Sequence, residues 1–208
     1  MTNNALLNDV ANYYSQKVEA FGTTPQGVDW NGEDSQFCRF EQLLKVINKE
    51  SEFSLIDVGC GYGAMLGYML EKLSTPFDYI GLDISEEMIQ AAIKTHPKSD
   101  HIQFFNGSTP PANVDYAVAS GIFNVRLEQN DELWLAHIMK TIEQMNAYTR
   151  KGFAFNCLTS YSDEDKKRDY LYYADPGLLF DFCKKHCSKQ VALLHDYGLY
   201  EFTIIVRK

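Results

Sequence analysis

Two carboxylates and three glycines carry the most legible chemistry of this 208-residue sequence. In Leu55-Ile56-Asp57-Val58-Gly59-Cys60-Gly61-Tyr62-Gly63 the glycines stand directly after a strand-like run and directly before a helix-like one. Glycines there permit a tight turn and let a ligand lie against bare backbone. Twenty residues beyond Gly63, Asp83 closes the next strand-like run. A carboxylate in that place can accept hydrogen bonds from both hydroxyls of a ribose. Asp57 stands at the end of a buried strand, and burying a carboxylate costs several kcal/mol unless donors or a cation compensate it. Loop amides and a ligand ammonium group would supply that compensation. The two acids and the turn together describe a pocket for a positively charged nucleoside.

The elements that must hold these groups follow from periodicity. Short apolar runs near residues 55–58, 79–83, 102–105, 116–119 and 153–157 alternate with amphipathic segments, the pattern of a βαβ series and a largely parallel sheet. Ser85 reads as a helix N-cap, with Glu86 and Glu87 in the first turn at the positive end of the helix dipole. A longer helix from Asn130 or Asp131 carries Leu135, Ile138, Met139, Ile142 and Met145 on one stripe. Asp175-Pro176 opens another helix. Residues 190–195 and 199–206 are strand-like, and the three residues between them are too few for a crossover helix, so they pair as an antiparallel hairpin. The fold expected is α/β, a doubly wound, mostly parallel sheet with an antiparallel C-terminal hairpin. Residues 1–50 form an N-terminal helical cap over the site and residues 51–208 the α/β core of a single domain.

Composition narrows the partners. Nineteen Lys and Arg against 28 Asp and Glu leave a formal charge of −9, so a broad attraction for phosphate backbones is missing and no nucleic acid is expected. No run approaches the roughly 18 apolar residues of a membrane helix, and Met1-Thr2-Asn3-Asn4 lacks a basic secretory start. A cytoplasmic chain without membrane contact is the expectation. The five cysteines are scattered and read as reduced thiols. Cys183, His186 and Cys187 lack a second ligand cluster, so no metal is assigned. The charged run from Ser162 to Asp169 reads as a solvated face.

Gly59 to Ala64 also satisfies G-x-G-x-x-A, a permitted dinucleotide fingerprint. Asp57 weighs against that alternative, because a pyrophosphate at this loop would be repelled by the adjacent carboxylate. The segment resembles the first motif of class I S-adenosylmethionine-dependent methyltransferases, D/E-x-G-x-G-x-G, with Asp83 in the position of the ribose-binding acid. The resemblance runs from Ser54 to Lys208 and implies a Rossmann-like sheet with S-adenosyl-L-methionine as cofactor. It places Asp57, Gly59, Cys60, Gly61 and Gly63 beside the methionine part. Asp83 and Ile84 would take the ribose and flank the adenine, with Met88 packed nearby. Ser120 and Gly121 would approach the amino acid end. Many members also have an acid after the third strand for the adenine amino group, where this chain offers only Asn106 or Ser108.

Methyl transfer from a sulfonium is an in-line displacement with an activated leaving group, so it needs alignment and water exclusion more than conspicuous catalytic residues. The implied reaction methylates an oxygen or nitrogen of a small molecule. A nicotinamide-dependent oxidoreductase and a noncatalytic cofactor-binding module are the alternatives. Acceptor contacts are expected from the cap and from the segments after the fourth and fifth strands: Trp30, Arg39, Asn124 and Tyr172 for binding, and Tyr14 and Tyr173 as candidate catalytic groups. Arg39 could hold a carboxylate of cofactor or substrate, or equally form a surface ion pair. His137 and His195 are read as structural. Ala119-Ser120-Gly121-Ile122-Phe123-Asn124 lacks the N/D-P-P-Y/F sequence of enzymes that methylate the amines of nucleobases.

Overall fold

A computed structural model describes residues 3–28, 32–48, 51–96 and 99–208. Its strands are β1 (Phe53–Val58), β2 (Phe77–Asp83), β3 (Ile102–Asn106), β4 (Val114–Ala119), β5 (Thr149–Leu158), β6 (Gln190–Leu194) and β7 (Glu201–Arg207). They form one sheet in the order β3-β2-β1-β4-β5-β7-β6. All pairs from β3 across to β5 are parallel, and β7 runs antiparallel between β5 and β6. The expected parallel sheet with its terminal hairpin is present. The hairpin connection is longer than the three residues read from the sequence. Residues 195–200 leave the sheet, and Tyr197 is tied back by its hydroxyl to Thr203 Oγ1 at 3.1 Å.

The helices are α1 (Asn3–Phe21), α2 (Glu33–Leu44), α3 (Ala64–Lys72), α4 (Glu86–Thr95), α5 (Asp131–Tyr148) and α6 (Pro176–His186). Caps set their starts: Ser85 Oγ accepts from Met88 N–H, Asn130 Oδ1 from Leu133 N–H, and Asp175 Oδ1 from Gly177 and Leu178 N–H. The β pleat sends Leu55 and Ile56 to opposite faces of β1. Leu55 joins Phe40, Leu43 and Met65 under α2 and α3. Ile56 joins Leu82, Trp134, Ile138 and Leu179 under α5 and α6. Each face therefore has its own apolar core.

The expected cap divides in two. α2 packs on the sheet through Phe40, Leu43 and Leu44, because its apolar stripe needs a core face and finds one over β4, β5 and β7. α1 lies on the other face. Between β3 and β4 the chain crosses in residues 107–113 without a helix, and Val10 of α1 packs there with Ile56 and Leu82. Among the described residues, no helix is long and apolar enough to cross a membrane.

Candidate active site

The carboxyl ends of β1 and β2 bring Asp57 and Asp83 to one hollow, together with Gly59, Cys60 and Gly61 of the turn between β1 and α3. Gly59 has φ +74°, and a Cβ there would stand 2.1 Å from Ile122 Cγ2. Only glycine lets the turn pass this close to the segment after β4. Gly61 has φ +55° and donates its N–H to Asp83 Oδ2 at 2.9 Å, while Ser85 N–H reaches Asp83 Oδ1 at 2.9 Å. Asp83 is thus fixed by two backbone amides, and each of its oxygens keeps a second lone pair for a ligand.

Asp57 is 2% exposed. Its Oδ2 accepts from the Tyr79 hydroxyl at 2.8 Å, and its Oδ1 has no partner among the described residues. Burial pushes this carboxyl up to about 7 against the opposing pull of the Tyr79 hydrogen bond, and the nearby Asp83 adds to the rise. Asp83 is also raised by burial, with the Ser85 and Gly61 amides pulling it down. Ser120 Oγ is likewise buried with no partner among the described residues. Two orphaned oxygens beside bare turn backbone fit a ligand that brings hydrogen-bond donors and positive charge.

Ile84 and Met88 line the same hollow, as do Ser108, Ser120 and Gly121. Gly63 does not; it is the left-handed N-cap of α3, φ +84°. Of the two residues offered for the adenine end, Ser108 faces the hollow, while Asn106 donates its side-chain amide to Asp83 O at 3.2 Å. A second hollow opens beyond Gly121, and Tyr14, Val28 and Gly121 line both.

A family model for the methyltransferase domain matches residues 56–146. Over 165 residues the chain is 53% identical to Rv1506c of Mycobacterium tuberculosis, a protein named as a methyltransferase, and the match covers 79% of this chain and 99% of that one. The chain belongs to the class I S-adenosylmethionine-dependent methyltransferases. The methyltransferase is also 29% identical over 121 residues to a non-reducing polyketide synthase of Stereocaulon alpinum, a match to 54% of this chain and 5% of that protein. Among solved structures it resembles the complex of DhpI with S-adenosylhomocysteine, with a TM-score of 0.66 at 16% identity over 98% of this chain and 97% of that one. It also resembles the magnesium protoporphyrin IX methyltransferase of Synechocystis PCC 6803, with a TM-score of 0.65 at 10% identity over 97% and 99%. At those identities the likeness is one of fold. The nicotinamide alternative and the noncatalytic one end here.

The residues expected to touch an acceptor depart from the sequence reading in several places. Arg39 is 7% exposed rather than on the surface. Its Nε and Nη2 hold Glu201 at 2.8 and 2.6 Å, so the carboxylate it takes belongs to the protein itself. Asn124 lines the second hollow, yet its Oδ1 accepts from Leu158 N–H at 3.0 Å and is engaged in joining β5 to the segment after β4. Tyr173 reaches the second hollow and accepts Arg168 N–H at 2.9 Å, whereas Tyr172 lines neither hollow and packs on the core. Trp30 lies outside the described residues. Tyr14 stands where the hollows meet.

The sequence reading took His137 of α5 as structural, yet it lines the first hollow, and the rest of that helix face was passed over. Trp134, His137, Thr141 and Gln144 extend the first hollow along that helix. Their spacing of three, four and three residues is a helical stripe beside the apolar one, and this was the available signal. Burial lowers His137, with Lys140 adding to the effect, and its Nδ1 is buried without a partner.

Proposed function

We propose that this methyltransferase transfers a methyl group to an oxygen or nitrogen of a small-molecule acceptor by in-line displacement. The observation that carries this reading is the meeting of two hollows at Tyr14, Val28 and Gly121. One hollow has the acids and the bare turn for the cofactor, and the other has room for the nucleophile on the far side of Gly121.

S-adenosylmethionine, when bound, supplies a methyl group already activated by the sulfonium charge. Asp57 Oδ1 would take the ammonium group, and Asp83 would take the ribose hydroxyls while keeping its two amide donors. Ser120 Oγ would face the amino acid end. The cofactor's chemistry would be a displacement in which an acceptor lone pair bonds the methyl carbon and the carbon–sulfur electrons return to sulfur. The acceptor proton leaves to solvent or to a neutral base, and α1 above the sheet limits water. Alignment of this kind contributes roughly 7 to 11 kcal/mol.

The chain's charge of −9 favours a small acceptor over a polyanion. Incubation of the full chain with S-adenosylmethionine and a panel of small alcohols, acids and amines, read by S-adenosylhomocysteine release, tests the reading. A small-molecule product one methyl heavier supports it. Methylation confined to protein or RNA, or to carbon, contradicts it.

A further inference from the structure

The second hollow carries a charge pattern that the chain as a whole does not. Lys166 and Arg168 line it, and among the described residues the one carboxylate in its lining is Glu201. Glu201 is already balanced: both its oxygens accept from Arg39, and Oε2 also accepts from Asn156 Nδ2 at 2.5 Å. The acids of the charged segment do not line the hollow. Asp163 takes the Tyr200 hydroxyl, and Glu164 pairs with Lys167 at 2.5 Å. Asp165 reaches Lys166 only at 3.4 Å between two exposed side chains, a contact that water and salt weaken.

The segment is also held in place. The Tyr173 hydroxyl accepts Arg168 N–H at 2.9 Å, and Lys167 Nζ stands 5.7 Å from the Tyr173 ring centre. Arg168 Nη1 donates to the carbonyls of Asp165 and Lys167 at 3.3 and 3.0 Å, which fixes the guanidinium, while its other side-chain donors have no partner among the described residues. Two cations therefore face the hollow that borders Gly121, in a chain of formal charge −9.

We propose that this hollow takes the methyl acceptor and that Lys166 and Arg168 hold an anionic group on it, a carboxylate or a phosphate. The planar fork of Arg168 suits either anion, and Lys166 adds a point charge. The acceptor is then a small acid whose anionic end lies toward segment 163–169 and whose nucleophilic oxygen or nitrogen lies toward Gly121. The inference rests on the small-molecule reading above.

Calorimetric titration of sodium phosphate and of sodium acetate tests it, using the full chain saturated with S-adenosylhomocysteine. Wild type is compared with the double variant Lys166→Gln, Arg168→Gln and with Lys166→Glu alone. At least one anion binds wild type, and affinity falls about tenfold for each cation removed. S-adenosylhomocysteine affinity and melting temperature stay at the wild-type level. Tighter phosphate indicates a phosphorylated acceptor, and tighter acetate a carboxylic one. Absence of anion binding to wild type, or equal binding by the double variant, overturns the proposal. Binding of S-adenosylhomocysteine with no small acid methylated, while neutral acceptors turn over, overturns it as well. Failure of S-adenosylhomocysteine itself to bind strikes the underlying reading instead.

Discussion

Tyr79 donates its hydroxyl to Asp57 at 2.8 Å from the neighbouring strand, and the other Asp57 oxygen is left buried with no partner among the described residues. The two side chains share a face because Leu55 and Tyr79 are in register on parallel strands and Asp57 lies two residues along. A carboxyl in this setting, raised to about 7, carries its charge willingly only when a cation arrives.

Cofactor affinity should therefore depend on pH. Below about 7 the Asp57 carboxyl of the free protein is protonated and must lose its proton to pair with an ammonium. S-adenosylhomocysteine affinity should fall by about tenfold per pH unit below that point. Calorimetry of wild type and Asp57→Asn from acid to neutral pH checks this. The variant should bind more weakly at neutral pH and show a flat profile across the same range.

The ligand-free protein should show the opposite sign in its stability. The Asp57 carboxyl rises from 3.8 to about 7 on folding, so the folded state holds the proton more tightly. The stabilisation from this group is complete below about 4 and is lost as pH climbs to about 7. Urea denaturation of wild type and Asp57→Asn at several pH values isolates it. The stability of wild type relative to the variant should decline as pH rises.

Removing Asp83 should affect ligand and loop together. Its oxygens already fix Gly61 and Ser85 and keep lone pairs for ribose hydroxyls. Asp83→Ala should weaken S-adenosylhomocysteine binding by about 1 to 3 kcal/mol. Unchanged affinity in a folded variant would remove Asp83 from the site.

Glu201 should matter for folding more than for cofactor binding. Its removal takes from the buried Arg39 guanidinium the carboxylate it holds at 2.6 Å. Glu201→Ala should lose about 3 to 5 kcal/mol of stability, and pairing it with Arg39→Met should restore much of that loss. Chemical denaturation of the three variants measures both effects.

The sheet and the hollow shared by Asp57 and Asp83 were legible in the sequence because each depends on local signals. A β–glycine–α junction and an acid at the next strand end are read from spacing alone, and both acids do share one hollow. Ser85, Asn130 and Asp175 cap helices where their residue types predict. What escaped depends on contacts far apart in the chain. Arg39 and Glu201 are 162 positions apart, and nothing local shows that one buries the other. His137 gives the same lesson on α5, since its stripe becomes a cavity wall only when α1 crosses the opposite side. Lys166 and Arg168 looked like any solvated charge run until the fold turned them toward a hollow and their acids elsewhere.

The most direct measurement is a crystal structure of the full chain with S-adenosylhomocysteine. The account predicts the ligand's amino group about 3 Å from Asp57 Oδ1 and its ribose hydroxyls at the same distance from Asp83. A ligand lying away from both acids, or turned so that its ribose meets Asp57, would contradict it.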